Sequence, residues 1–152
     1  MLDRREMLAR GATVAGLMAA AGLLPLQAMA AWNQPAFEAK AMADVMKALG
    51  GAAPVLSKDV TVTGPDIAEN GAVVPVGAST SLPGVKRLLI LIEKNPAMLA
   101  ADFEVTDMVE ASFTTRVKMN QTSNVISVAM MADGRVLFAQ KEVKVTLGGC
   151  GG

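Results

Sequence analysis

Residues 86–93 read KRLLILIE, five consecutive aliphatic side chains closed at both ends by charge. The run is short for a helix, and Lys94, Asn95 and Pro96 turn the chain directly after it. It predicts a central β-strand with apolar neighbours on both faces. Such a strand needs cover on each side, so the chain must fold in layers.

The flanking sequence supplies those layers. From residue 57 onward, short β-type runs alternate with turn residues. VTVT at 60–63 is β-branched throughout and ends at Gly64-Pro65. Asn70-Gly71 is a tight-turn signal ahead of 72–76, and Phe103, Glu104 and Val105 form a short strand candidate. SFTTRVKM at 112–119 alternates Phe113, Thr115, Val117 and Met119 against polar side chains. The next run, 125–131, leads through an Asp133-Gly134 hairpin turn into 135–147. There Val143, Val145 and Leu147 alternate with Glu142, Lys144 and Thr146, the pattern of a strand with one buried face. About seven short strands predict a mainly β fold, an antiparallel β-sandwich of immunoglobulin-like type. One amphipathic helix over 33–51 is expected to precede it. Pro35 sits in its first turn, Asn33 or Gln34 caps it, Gly50-Gly51 stops it, and Phe37, Ala41, Val45 and Leu49 form its buried stripe.

The first thirty residues read differently. Arg4-Arg5 precedes an uncharged, alanine-rich stretch over 12–26, and Ala28-Met29-Ala30 offers a small-residue cleavage pattern. This predicts a twin-arginine signal over 1–30, cleaved after Ala30, and export to the bacterial periplasm. The expected division is therefore 1–30 signal, 31–147 helix plus sandwich, and 148–152 arm. The signal carries three of the fourteen basic and two of the fourteen acidic residues, so the remainder holds eleven against twelve. So even a balance argues against nucleic acid or an anionic membrane as partner. Histidine is absent, which removes the usual general base and the commonest metal ligand.

The single cysteine, Cys150, lies two residues from the end between Gly148-Gly149 and Gly151-Gly152. One cysteine makes no internal disulfide, and an odd thiol in an oxidising compartment implies intermolecular pairing or a deliberately free, reactive group. Glycine loses the most freedom on ordering, so this tail predicts a flexible arm. Five residues beyond Leu147 reach roughly 17 Å at about 3.3–3.6 Å per residue. A thin arm with one nucleophile suits a thiol that enters another protein's channel. Lys144 and Lys141, the nearest basic residues, lie six and nine positions back, too far to hold a cation beside the sulfur. The expectation is a thiol activated by its partners and not by its own chain.

The ending KEVKVTLGGCGG (141–152), the twin-arginine start, and the segments SFTTRVKM and ADGRVLFAQKEVKVT together resemble the SoxY family of sulfur-carrier subunits. The resemblance implies a non-catalytic carrier without a cofactor, whose matching cysteine, Cys150, holds thiosulfate-derived sulfur species covalently. It implies heterodimer formation with a SoxZ-like sandwich subunit. It also implies a c-type cytochrome complex that conjugates thiosulfate, a metal-dependent hydrolase that releases sulfate, and in many systems a molybdenum–haem sulfane dehydrogenase.

The competing readings are an exported binding module whose cysteine crosslinks subunits, and a carrier acting through the Gly151-Gly152 carboxylate. Met42, Met46, Met98, Met108, Met119, Met130 and Met131 are scattered, which favours core filling over a copper site. Asp102, Glu104, Asp107 and Glu110 read as solvated loop charge. Trp32 reads as an anchor for the chain start.

Overall fold

The computed structural model describes residues 3–20 and 32–147. The chain divides into two units at Trp32/Asn33. In the first, helix α1 spans Arg4–Ala20 and begins with the arginine pair, and Trp32 is 61% exposed. Among the described residues no helix is long and apolar enough to cross a membrane.

The second unit is the expected sandwich, carrying nine strands among the described residues: β1 (Val55–Leu56), β2 (Val60–Thr63), β3 (Ile67–Ala68), β4 (Val74–Thr80), β5 (Val85–Ile92), β6 (Leu99–Glu104), β7 (Ser112–Val117), β8 (Ser123–Met131) and β9 (Val136–Val145). The excess over seven lies in β1 and β3, two residues each, which pair parallel with β9 while all other pairings are antiparallel. The large sheet runs β1-β9-β8-β5-β6, with β3 also on β9, and the small sheet runs β2-β4-β7.

β5 carries the layering. Leu88, Ile90 and Ile92 enter the core between the sheets, with Val76, Ala78, Val125, Ala129 and Val143. Leu89 and Leu91 point to the opposite face, where Val45, Met46, Ile126, Val128 and Val136 meet them. All five β5 side chains are fully buried. The period-2 pleat thus serves two cores at once. Met130 and Met131 likewise face opposite sides of β8. Among the methionines, Met46, Met98, Met119 and Met131 fill core space, whereas Met108 is 93% exposed.

The helix expected over 33–51 is two helices, α2 (Gln34–Glu38) and α3 (Met42–Leu49). Asn33 caps α2 as expected, and Gly50 ends α3 at φ 71°. The break falls at Ala39, whose extended backbone (φ −64°, ψ 138°) turns its carbonyl to accept from Met98 N–H at 2.9 Å. This sheet contact displaces the helical bond that residues 39–41 would otherwise make. The stripe shifts accordingly: Ala36, Ala39, Val45 and Met46 are buried and Ala41 is exposed. The apolar period was real, but a tertiary hydrogen bond reset its phase.

One further expectation holds and another changes. Asn70-Gly71 does turn the chain, with Asn70 Oδ1 accepting from Ala72 N–H at 2.8 Å, but it carries the chain between sheets, from β3 on β9 to β4. Asp102 and Glu104 are not loop residues: both lie on β6 and bind the Arg87 guanidinium at 2.8 and 3.0 Å. Burial pushes the Asp102 carboxyl above its ordinary range, against the opposing pull of Arg87 and with a smaller push from Glu104.

Candidate functional site: the root of the C-terminal segment

Gly148, Gly149, Cys150, Gly151 and Gly152 lie outside the described residues. The structure does show where the chain to Cys150 starts and what holds it there.

The β9–β8 ladder ends at the rung Ser123↔Val143. Beyond it β9 runs for two more residues, Lys144 and Val145, and Thr146 and Leu147 follow it, all without β8, yet the backbone stays bonded. Lys144 N–H donates to Asp66 O at 3.0 Å, and Thr146 N–H to Ala68 O at 3.1 Å. Val145 N–H donates to the Thr122 hydroxyl at 3.0 Å, and the Thr146 hydroxyl to Glu69 O at 3.0 Å. Finally, Gly71 N–H donates to Leu147 O at 2.7 Å, while Gly71 O accepts from Met119 N–H at 2.7 Å. Leu147 is the last described residue. The chain is therefore held up to the residue that precedes Gly148.

The local sequence explains the arrangement. Val143 is fully buried and fixes the register of β9. Ala68, paired beside Val145 in the parallel ladder, is buried at 6% exposure. Threonine at 122 and 146 supplies a side-chain partner where the ladder has none. Exposed apolar side chains stand on or beside this root: Ile67 at 57%, Val73 at 55% and Leu147 at 57%.

One cation and one carboxylate near the root are paired with each other. Lys141 Nζ donates to Gly64 O at 2.6 Å and pairs with Asp66 at 2.9 Å. That hydrogen bond and charge hold the Asp66 carboxyl below its usual range. Among the described residues no three acidic, histidine or cysteine side chains cluster closely enough to hold a metal ion.

Sequence reading located the cysteine and the glycines but missed the segment 66–71 and Thr122. Their partners are up to 78 positions away in the chain, and Asn70-Gly71 signalled only a turn.

Together these features define a class: an immunoglobulin-like sandwich whose last strand is anchored up to a glycine-flanked, cysteine-bearing end. A family model for the sulfur oxidation protein SoxY matches residues 45–150. The matched stretch ends on Cys150. The sulfur carrier protein SoxY of Chlorobium limicola f thiosulfatophilum is 32% identical, with a TM-score of 0.61, covering 68% of this chain and 93% of its own. The chain belongs to the SoxY family. A superoxide reductase (neelaredoxin) from Ignicoccus hospitalis shares the fold alone, at 14% identity and a TM-score of 0.51 over 57% of this chain and 78% of its own. No curated protein sequence matches the chain significantly.

Proposed function

We propose that this protein is a periplasmic carrier that holds sulfur-oxidation intermediates covalently on Cys150 and presents them to successive enzymes, without catalytic groups of its own. The observation that carries this is membership of the SoxY family, with the matched region running through the only cysteine. The anchored root fits the role. It gives the thiol a defined starting point, and the three residues from Leu147 to Cys150 reach about 11 Å.

The chemistry follows from a thiol and thiosulfate. Conjugation joins the Cys150 sulfur to the sulfane sulfur of thiosulfate and forms an S-thiosulfonate. It releases one proton and two electrons, which a c-type cytochrome partner accepts. Hydrolysis then adds water across the terminal sulfur–sulfur bond, releasing sulfate and leaving a persulfide on Cys150. A sulfane dehydrogenase would oxidise that persulfide before a second hydrolysis. A SoxZ-like sandwich subunit completes the carrier as a heterodimer, and the twin-arginine start directs export. With Lys141 committed to Asp66 and Gly64, deprotonation of the thiol falls to each partner's site.

The test is intact-protein mass measurement on protein taken without reductant from cells oxidising thiosulfate, beside Cys150→Ser. Species heavier by sulfur or sulfonate increments in the wild type only support the carrier. A symmetrical disulfide dimer alone would indicate a crosslinking module, and adducts that persist in the variant would move the chemistry to the terminal carboxylate.

A further inference from the structure

We propose that Thr122, Thr146 and the segment 66–71 form a clamp that fixes the root of the cysteine-bearing segment and so sets how far Cys150 can travel. The proposal rests on the reading of Cys150 as the point of attachment and adds the residues that position it.

Every backbone hydrogen bond described past Val143 leaves the β8–β9 ladder. Three go to the backbone of Asp66, Ala68 and Gly71, and one goes to a side chain, the Thr122 hydroxyl. A two-residue parallel strand such as β3 has little reason to form by itself. Its pairing of Ile67 with Lys144 and Ala68 with Val145 places a ladder where β8 has stopped supplying one. The Thr146 hydroxyl then donates to Glu69 O, across 77 positions of chain. The Gly71 backbone is bonded on both sides, to Leu147 and to Met119. That bracing ties the clamp to the end of the small sheet, because Met119 is fully buried.

The consequence is a length. With the chain fixed at Leu147, three residues carry Cys150 and allow it about 11 Å. Fixed only at Val143, where the β8 ladder ends, seven residues would allow about 25 Å. A thiol that searches the larger volume spends less time at any one site, since effective concentration falls steeply as a tether lengthens. Thr122 and Thr146 are thus positioning residues. They act through the chain that carries the reacting atom and decide how tightly that atom is presented.

The experiment uses the cysteine as it stands. A nitroxide attached to Cys150 reports, through paramagnetic broadening of backbone amides, the region its tether reaches. Amide hydrogen exchange at Val145 and Thr146 reports the clamp itself. Both are read in the wild type, in Thr122→Val/Thr146→Val, and in Thr122→Ser/Thr146→Ser, which keeps both hydroxyls. In the valine pair we expect exchange at the two amides to quicken by roughly five- to tenfold and the broadened region to widen, short of the doubled radius of full release to Val143, because the backbone bonds to Asp66, Ala68 and Gly71 remain. The serine pair should match the wild type. An unchanged broadened region in the valine pair overturns the proposal. So does a serine pair as disrupted as the valine pair, because packing and not the hydroxyl would then hold the root. Neither readout involves sulfur chemistry, so a carrier without adducts would sink the functional reading and leave this result standing.

Discussion

Leu88 and Leu89 are adjacent, equally buried, and face different layers, so truncating each to alanine separates the two cores. Both side chains are 0% exposed. Removing three carbons forfeits about 2.4 kcal/mol of transfer free energy at about 0.8 kcal/mol per carbon. The remainder depends on how far the surroundings close on the void. Leu88 lies between two hydrogen-bonded sheets, opposite Phe103 and Ala129 across its neighbouring strands. Neither sheet can move inward without breaking ladder geometry elsewhere. Leu89 lies beneath α2 and α3, of five and eight residues, joined by a break that lets them settle. We expect Leu88→Ala to cost about 4 kcal/mol and Leu89→Ala about 3 kcal/mol. At about 4 °C per kcal/mol for a domain this size, the midpoints fall by roughly 16 and 12 °C. Urea unfolding of both variants, with m-values matching the wild type, measures the difference. A Leu89→Ala cost equal to or above that of Leu88→Ala would refute the reasoning, because the helix layer would then be as rigid as the sandwich.

Two other perturbations have defined outcomes. Asn33 caps α2 by accepting from Ala36 N–H at 3.1 Å and ties it to α3 by donating to Ala48 O at 3.0 Å. Asn33→Ala should cost about 1–2 kcal/mol by urea unfolding and Asn33→Ser less, since serine keeps the cap and loses only the second bond; equal losses would mean the cap contributes nothing. Asp102 binds its proton more tightly folded than unfolded, so its share of stability is greatest at low pH. That share declines as pH rises from the ordinary value of 3.8 through the raised native one. Asp102→Asn should flatten that decline in urea midpoint as pH rises above the ordinary value of 3.8, and parallel curves for variant and wild type would reject the assignment.

The fold class was legible in the sequence because it rests on local signals. The aliphatic run 88–92, the alternation along 112–119 and 143–145, and the Asp133-Gly134 turn are each readable within a few residues, whereas Leu147, expected on the buried face, lies past β9 and is 57% exposed. A strand's pleat and a turn's backbone preference are set by neighbours in the chain. Cys150 stands out in the sequence as a lone thiol among glycines, and it lies outside the described residues. What the structure added depends on partners far apart in sequence. The bond from Met98 N–H to Ala39 O splits the N-terminal helix and shifts its buried face, although its apolar period favours one continuous helix. Asp102, which reads as loop charge, lies on β6 through its ladder with β5 and pairs there with Arg87. The segment 66–71 shows only turn residues, yet its backbone takes up the end of β9, because groups left over where one ladder stops must find partners wherever the fold brings them. The sequence by itself determined the layers and singled out the thiol proposed here as the point of attachment. Only tertiary hydrogen bonding decided where the chain carrying that thiol begins.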